Sequence, residues 1–396
     1  MNQIWTQISL IIVFAMSMPA AVLQGAESVA RDIATHAEAS VLLKVNDNFQ
    51  QINDTRPAGT VFRVASGVHI KQRVVNPKKG NQWIGEEGAI LDGKDALSDA
   101  FHGKAERVTI QGLELRNYVD NGVYFTSGSD IVINQVTVRD TGSGDGEANG
   151  AIRFANVSDL AVTRSHFTRV SSGVLPTECK GPIRIEWNTG VNTGRNYVQL
   201  DKCTGGGIRV RYNTMERVGN YLRPDAQDVE DWISVYKVNG RPDDPAQFSY
   251  NRARGHGPSK SGSFIMLGDG GGRYLEAIGN VGVTPGQVGI GLCGGEHIEV
   301  RSNLMYSKVW PQSNIAYYSC NYSRPSPCGE HIIKDNRANW INRDGKQNTF
   351  WTDGNVEPLT MNGNCFPDNT LSEKIWDQWE VDINRMSNRT DAGDGL

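Results

Sequence analysis

The sequence lacks the features that mark several large classes of protein. Beyond its N-terminus no stretch approaches the ~20 apolar residues of a membrane span. It has no Cys-x-x-Cys pair and no histidine-rich segment of the kind that binds structural zinc. Its formal net charge of −4 does not indicate binding to nucleic acid. Helical segments do not alternate with strand-like segments, which argues against a βαβ fold.

Aromatic residues are also few, at 8% of the chain, whereas glycine is abundant, with 44 among 396 residues. Together with many short β-branched runs, this composition favours an architecture with many tight turns over a helical one. The length fits two domains or one large all-β domain.

The first 26 residues predict an export signal. An apolar run from Ile8 to Met18 is followed by the small residues Ala20, Ala21 and Ala26, although no lysine or arginine precedes the run. A short membrane anchor is the alternative. We therefore expect a secreted or periplasmic protein, free of the membrane after cleavage, in which the six cysteines are compatible with disulfides.

Short strands of the form apolar-x-apolar recur along the chain in two interleaved series. The first series comprises Val108/Ile110, Ile131/Ile133, Leu160/Val162, Ile183/Ile185, Ile208/Val210, Phe248/Tyr250, Ala277, Ile298/Val300 and Ile332. The second comprises Val123/Phe125, Ile152/Phe154, Val174/Leu175, Val198/Leu200, Ile233/Val235, Ile265/Leu267, Ile290/Leu292 and Ile315/Tyr317. A repeat of about 20 to 50 residues is typical of a solenoid, and two series predict a coil with two or more strands per turn.

Asparagines follow the first series at a constant offset: Asn188, Asn213, Asn280 and Asn303, with Asn251 and Asn336 close to the same place. Asparagine tolerates left-handed backbone angles, and its amide can hydrogen-bond to the identical amide one turn above. We predict a structural ladder of buried asparagines at a tight turn.

These strands and asparagines, the Pro57-Ala-Gly-Thr60 opening and the segment from Gly85 to Gly93 resemble the pectate-lyase-like superfamily. The resemblance implies an all-β fold, a right-handed parallel β-helix. It does not fix an activity, because that superfamily includes lyases, hydrolases, epimerases, esterases and phage tail proteins.

The predicted organisation has four parts: a signal peptide over residues 1–26, an N-terminal cap over 27–56, the β-helix over 57–356 and a C-terminal cap over 357–396. The N-terminal cap begins with helical character from Glu27 to Gln51. The C-terminal cap contains a helix from Ser372 to Met386 that covers the open end of the coil.

Polar residues depart from the repeat most densely between Tyr221 and Gly272, where one interval between strands is stretched by an insertion. Long insertions in solenoids gather on the binding face. At its centre, Asp228 to Lys237 predicts a strand in which Ile233 and Val235 face the core and the alternate residues face solvent.

The candidate site residues fall into three groups by expected role. Candidate catalytic residues are Lys237, Arg209, Arg211, Asp269 and His256. Candidate sugar-binding residues are Trp232, Tyr236, Lys202 and Lys260, with Lys202, Lys237 and Asp269 stacked in one column. Candidate metal ligands are Asp228, Glu230 and Asp231.

These residues predict, as the first function, a secreted lyase that acts by β-elimination on a uronic-acid-containing polymer. Removing a proton next to a carboxylate needs a cation to neutralise that carboxylate and a base near the ring carbon. Carboxylates at i and i+2 can hold Ca²⁺, and a lysine or arginine can serve as the base. A lysine beside uncompensated acids has a raised pKa and is a poor base, which a bound dication would reverse.

The segment from Glu230 to Lys237 is similar to the acid-x-acid-Ile-x-x-x-Lys stretch of the alginate and chondroitin lyase family on this fold. That resemblance implies calcium bound by the acids and Lys237 as the base. Trp232 stands where the family has its second acid, and Asp269 stands where it has an arginine.

Two other functions remain open. A glycoside hydrolase needs two carboxylates about 5 to 9.5 Å apart, which Glu230 or Asp231 could supply together with Asp269. A non-catalytic carbohydrate-binding protein would use exposed Trp232 and Tyr236 to stack on sugar rings. For each function we expect a monomer whose partner is a polysaccharide, and an anionic one for the lyase.

Overall fold

A computed structural model describes residues 40–142, 149–219, 230–257, 261–322, 324 and 327–390. The predicted signal peptide and the first part of the N-terminal cap lie outside the described residues. Within them, short parallel strands stack into three ladders that run the length of a coil, with one strand of each ladder per turn. The predicted parallel β-helix is confirmed.

The ladders are named here by their order within a turn. Ladder A contains the strands Val74–Val75, Asp99–Glu106, Asn121–Asn134, Gly150–Ala155, Val174–Thr177, Val198–Asp201, Ile233–Tyr236, Ser263–Asp269, Val288–Leu292, Ile315–Ser319 and Phe350–Thr352. Ladder B contains Ser40–Leu43, Val61–Val64, Gln82–Gly85, Thr109–Gln111, the second half of Asn121–Asn134, Val157–Thr163, Lys180–Glu186, Ile208–Arg211, Ala246–Ser249, Arg273–Ile278, Gly295–Arg301, Cys328–Gly329, His331–Lys334 and Leu359–Asn362. Ladder C contains Gly67–Ile70, Ala89–Asp92, Glu114–Arg116, Thr137–Thr141, His166–Val170, Thr189–Val191, Thr214–Glu216, Arg252–Arg254, Val281–Val283, Leu304–Ser307 and Arg337–Trp340.

Ladders A and B correspond to the second and first sequence series. Ladder C adds the third strand of each turn, and most of its strands are only three to five residues long. The coil also continues past residue 356, because Leu359–Asn362 pairs in parallel with His331–Lys334. Inward-facing apolar side chains from all three ladders form one continuous core.

The predicted asparagine ladder is confirmed at the corner between ladders B and C. Each Nδ2 donates to the Oδ1 of the asparagine in the next turn at 2.9 to 3.1 Å, through Asn188, Asn213, Asn251, Asn280, Asn303, Asn336 and Asn364. Six of these seven residues are fully buried, Asn364 being half-buried. Each amide therefore satisfies backbone and side-chain groups that have no access to water.

The left-handed backbone conformation at this corner falls one residue earlier than predicted. It belongs to the residue before each asparagine, for example Trp187, Tyr212 and Tyr250, with φ between 54° and 61°. The rings of these three residues stack on the outside, with centroids 4.4 and 5.4 Å apart. The asparagine amides hold the turn, while the neighbouring residue adopts the unfavourable angle.

Two helices flank the coil. Helix α1 (Phe49–Thr55) begins at Asn48, whose side chain accepts the backbone N–H of Gln51, and it buries Phe49 against Trp83. The helical prediction for residues up to Gln51 is wrong for Ser40–Leu43, which forms a strand because it pairs in parallel with Val61–Val64.

Helix α2 (Ile375–Thr390) confirms the predicted C-terminal helical segment. Its apolar residues pack on the outer face of ladder C, in a cluster that contains Val281, Val283, Leu371, Ile375, Trp376, Trp379 and Ile383. Neither helix among the described residues has the length and apolar character needed to cross a bilayer.

All six cysteines lie in the described part of the chain, and none forms a disulfide there. Cys179 and Cys203 are buried next to each other in successive turns, where a side-chain hydrogen bond joins them. The disulfide prediction therefore has no support from the cysteine positions.

The ladder predicts a large stability loss for Asn280→Leu. The side chain of Asn280 accepts two hydrogen bonds from Asn251 and donates to the carbonyl of Phe248 at 2.8 Å. Buried groups left unpaired cost about 1–3 kcal/mol each. We therefore expect the free energy of unfolding, measured by urea denaturation, to fall by about 3 kcal/mol or more. The exposed control Asn362→Leu should change stability by less than about 0.5 kcal/mol; equal effects would contradict the structural role of the ladder.

Candidate active site

A groove with a volume of about 730 Å³ lies along the outer side of ladder A, where its strands begin. Five successive turns form its wall, and each contributes residues just before or within its ladder A strand. The lining residues are Glu230, Asp231, Ser261, Gly262, Ser263, Met266, Gln287, Val288, Asn314, Ile315, Tyr318, Tyr322, Asn348 and Trp351.

Strand register places one outward-facing residue from each turn in a column along the groove floor. The column runs Ser234, Met266, Gly291, Tyr318 and Trp351. A Cβ on Gly291 would lie 2.5 Å from the Tyr318 ring, so glycine is needed for that ring to lie flat on the ladder. The rings of Trp351 and Tyr322 are exposed at one end of the groove, at 46% and 68%.

Asp231 lies at the opposite end of the groove from these exposed rings, immediately before the strand Ile233–Tyr236. The backbone N–H of Ser263 donates to its Oδ1 at 2.8 Å. Burial raises the pKa of the Asp231 carboxyl from its ordinary value of 3.8 to about 7, with smaller contributions in the same direction from Glu230 and Asp269. A carboxyl with this pKa still carries a proton at near-neutral pH and can donate it.

Glu230 is the second acid of the groove and is held differently. Its carboxylate accepts a hydrogen bond from Nε of Arg195 at 2.8 Å. The turn approaches the next one closely here, since a Cβ on Gly262 would lie 2.3 Å from the carbonyl oxygen of Glu230. Gly262, at φ 112°, therefore permits the close approach of its own turn to the backbone of Glu230.

The prediction that Trp232 faces outward is wrong. Its side chain is fully buried, its indole N–H donates to the carbonyl of Pro285 at 2.6 Å, and the guanidinium of Arg217 lies 3.8 Å from the ring centroid. Trp232 precedes the strand, so the two-residue alternation that holds for Ile233 and Val235 does not extend to it. The ring stabilises the turn beneath the groove and is not available to stack on a sugar.

Lys237 lies at the other end of the strand, outside the residues that line the groove. It is exposed in the turn between ladders A and B, with Nζ 4.9 Å from the ring centroid of Tyr236. A hydrogen bond with Tyr236 raises the pKa of the Lys237 ammonium, and the charges of Asp201 and Asp269 act in the same direction. Without a dication nearby, this lysine is a poor base, as its acidic neighbours led us to expect.

The predicted column of Lys202, Lys237 and Asp269 is correct for the two lysines only. Asp269 pairs with Tyr236, one position earlier, because the register shifts between Ser234 and Tyr236. The Asp269 carboxyl is half-buried, and burial raises its pKa. Lys202 is occupied by an ion pair with Glu178 at 3.3 Å.

The two predicted arginines belong to a different ladder. Arg209 and Arg211 lie on the strand Ile208–Arg211 of ladder B. Arg209 forms an ion pair with Asp244, and Arg211 forms one with Glu186 at 2.6 Å. The structure therefore does not bring either arginine into the groove, and both guanidinium groups already have carboxylate partners.

The remaining predicted residues divide between another pocket and the undescribed part of the chain. His256 stacks on Trp310 with ring centroids 3.7 Å apart, and burial lowers its pKa. It lines a smaller pocket beside ladder C. Asp228 and Lys260 lie outside the described residues.

The described residues do not by themselves form the predicted calcium site. No group of three or more histidine, cysteine, aspartate or glutamate side chains is suitably placed among them. Glu230 is already paired with Arg195, and burial raises the pKa of Asp231. Calcium binding remains a prediction that depends on Asp228.

Most residues that line the groove belong to none of the sequence motifs. Three amides lie just before their ladder A strands: Gln287, Asn314 and Asn348. Three aromatic residues lie on or after those strands: Tyr318, Tyr322 and Trp351. Recurring amides at the start of the second series were the signal that would have found them. The aromatic residues follow apolar strand positions and look like core residues in the sequence.

No family model matches the chain, and no curated protein matches it. Among solved structures it is similar to the A-module of a mannuronan C-5 epimerase from Azotobacter vinelandii, at 11% identity over 77% of this chain and 91% of that one, with a TM-score of 0.43. It is also similar to a mannuronic-acid-specific family 6 polysaccharide lyase from human gut microbiota, at 10% identity over 89% and 94%, with a TM-score of 0.45. A third is the GH136 lacto-N-biosidase of Eubacterium ramulus, at 14% identity over 77% and 62%, with a TM-score of 0.49. Similarity at this level assigns neither an activity nor a residue role to the chain.

The burial of Trp232 predicts that Trp232→Ala destabilises the fold. Removing a fully buried aromatic side chain costs about 3–5 kcal/mol, which urea-induced unfolding would measure. The comparison is Trp351→Ala, which removes a ring that is 46% exposed and should cost less than about 1 kcal/mol. An equal or larger effect for Trp351→Ala would contradict the assignment of the two rings.

The raised pKa of Asp231 predicts a pH-dependent stabilisation by Asp231→Asn. A carboxyl whose folded pKa of about 7 exceeds its ordinary 3.8 favours folding only while protonated, so stability falls as pH rises between these values. We expect the variant to be more stable than the parent by about 1–4 kcal/mol at pH 8 and unchanged at pH 4. Thermal unfolding from pH 4 to 8, with the exposed Asp344→Asn as control, measures this; a stabilisation that did not depend on pH would contradict it.

Proposed function

We propose that this protein is a glycan-cleaving enzyme that hydrolyses a glycosidic bond in the groove along ladder A. The observation that supports this most directly is the Asp231 carboxyl, whose pKa burial raises to about 7, in a groove with a second, ion-paired carboxylate, Glu230. Two carboxyl groups in different environments are the arrangement that acid and base catalysis of glycoside cleavage uses.

Asp231 is the general acid in this proposal. It transfers its proton to the glycosidic oxygen as the bond from that oxygen to the anomeric carbon breaks, and it becomes a carboxylate. Glu230 accepts a proton from the water molecule that attacks the anomeric carbon. The products are two shortened glycans, one with a new reducing end and one with a new hydroxyl. Proton exchange with solvent then returns a proton to Asp231 and removes the one gained by Glu230.

The rest of the groove supplies the contacts that a sugar chain needs. Exposed rings such as Trp351 and Tyr322 offer flat apolar surface to the faces of pyranose rings. The groove is lined by the amide side chains of Gln287, Asn314 and Asn348, and amides both donate to and accept from sugar hydroxyls. The groove runs across five turns, which suits a polymer better than a small molecule.

The test is incubation with a panel of neutral and acidic polysaccharides. We expect new reducing ends without absorbance from a C=C bond, and at least a 100-fold lower kcat for Asp231→Asn, because a positioned general acid contributes about 10²–10⁴-fold. Activity should also fall as pH rises above about 7 and Asp231 loses its proton. The control is Asp344→Asn, which should retain activity. Full activity in Asp231→Asn would disprove the proposal.

β-Elimination on a uronic-acid polymer is the second candidate, favoured by the contact between Lys237 and Tyr236 beside Asp201 and Asp269. It would require a cation close to Lys237 to lower its pKa, whereas Glu230, one of the proposed Ca²⁺ ligands, lies at the opposite end of the strand. Products that absorb in the near ultraviolet, lost in Lys237→Ala and on chelation, would establish it in place of hydrolysis. Binding without any product would leave the non-catalytic alternative.

The N-terminal sequence supports a proposal for where the enzyme acts. An apolar segment and small residues in the first 26 residues suit export, so we place the enzyme outside the cytoplasm, acting as a monomer on a polysaccharide. Size-exclusion chromatography of the purified protein tests the monomer, and N-terminal sequencing of the exported protein tests the cleavage.

A further inference from the structure

A second pocket, of about 350 Å³, lies where the strands of ladder C end. It is lined by Arg217, Gly219, Arg254, Gly255, His256, Val283, Thr284, Lys308 and Glu373. Four of these side chains are basic or can become so, and they come from three of four successive turns. The hydrolytic mechanism proposed for the groove uses none of them.

Arg217 is the buried part of this basic cluster. Its side chain is 8% exposed, its guanidinium lies over Trp232, and Nη2 donates to the carbonyl of Gly194 at 3.3 Å. Its Nε is buried and has no hydrogen-bond partner among the described residues. Burial lowers the pKa of Arg217 to about 9, so the group is still charged at neutral pH.

Lys308 and His256 place further positive charge beside Arg217. Lys308 is exposed, and its ammonium has no ion-pair partner among the residues described. The charges of Arg217 and Lys308 both lower the pKa of His256, in addition to the larger effect of burial. An anion placed between these three groups would stabilise the positive charge of each.

Two carboxylates reduce the positive charge only in part. Glu216 forms an ion pair with Arg254 at 2.5 Å, which accounts for that arginine. Glu373 lines the pocket from the segment before helix α2, on an exposed side chain. Asp231 also acts on Arg217 and raises its pKa, but burial keeps the Asp231 carboxyl protonated to about pH 7. Below that pH, Arg217 and Lys308 together exceed the one remaining carboxylate, before His256 is counted.

The pocket and the groove lie on the two sides of one turn between ladders C and A. Thr284 lines the pocket and Gln287 lines the groove, and three residues span at most about 11 Å. The carbonyl of Pro285, between them, accepts the indole N–H of Trp232, so the turn is fixed from below. A glycan bound in the groove can reach the pocket with a neighbouring sugar.

We propose that this pocket is a subsite for an anionic substituent of the glycan, a uronate carboxylate or a sulfate ester. Arg217 and Lys308 bind the anion, and His256 donates a further hydrogen bond once protonated. The assignment rests on the proposed function for the identity of the polymer, and it makes that polymer acidic. The pocket itself is defined by its charges and does not depend on the hydrolytic step.

Binding is tested on the full-length protein with sulfate, glucuronate and glucose as probes. Titration of the His256 ring by NMR should show its pKa rising when sulfate or glucuronate is added and unchanged with glucose. Lys308→Gln should weaken glucuronate binding about fivefold, as expected for one exposed charge, whereas the distant Lys44→Gln should not. Because Arg217→Gln could unfold the chain, Arg217→Lys is the second variant, and it should weaken binding through loss of the planar fork.

Three results would overturn this subsite: no change in the pKa of His256 with either anion, equal affinity in parent and Lys308→Gln, or binding of sulfate without glucuronate, which would indicate a site for free inorganic anions. Anion binding does not require turnover. If glucuronate binds as described and no polysaccharide is cleaved, the subsite stands and the proposed hydrolysis fails. If neutral polymers are cleaved and no anion binds, the hydrolysis stands and the subsite fails.

Discussion

The hydrogen bonds between asparagine amides at the corner of ladders B and C fix each turn of the coil against the next. Because each Nδ2 donates to the Oδ1 one turn away at 2.9 to 3.1 Å, a turn that slipped by one residue would leave several buried amides unpaired. The same register determines which residues line the groove. Residues distant in sequence, such as Met266, Tyr318 and Trp351, form one column only because the turns beneath them cannot shift.

Two buried polar groups near the candidate active site reduce the stability of the fold. Burial keeps Asp231 protonated to about pH 7, and at higher pH its ionisation opposes folding. Arg217, also buried, has an unpartnered Nε among the described residues. The guanidinium of Arg217 lies over the Trp232 ring, and Asp231 is the residue before Trp232. The proposed general acid and the arginine of the proposed subsite are thus both held in poorly solvated positions beside one turn, as functional groups commonly are.

The fold could be predicted from the sequence because stacking repeats the same requirement in every turn. Inward apolar pairs and corner asparagines recur and reinforce one another. The site could not be predicted in the same way. Trp232 and Lys237 lie in turns, where alternation no longer predicts which way a side chain points. Asp269 lies one position away from its predicted place because the register shifts. Arg209 and Arg211 were correctly placed on a strand, but their partners Asp244 and Glu186 come from other turns.

Helix α2 covers ladder C from far along the chain. Arg252, whose guanidinium lies 4.4 and 4.5 Å from the Trp376 and Trp379 rings, donates to the carbonyl of Trp376, 124 residues later in the sequence. Turns of a solenoid can form as soon as they are synthesised, N-terminal ones first. The apolar surface around Val281 and Val283 therefore has no cover until helix α2 has been synthesised, and a chain without this helix exposes that surface to association with other chains.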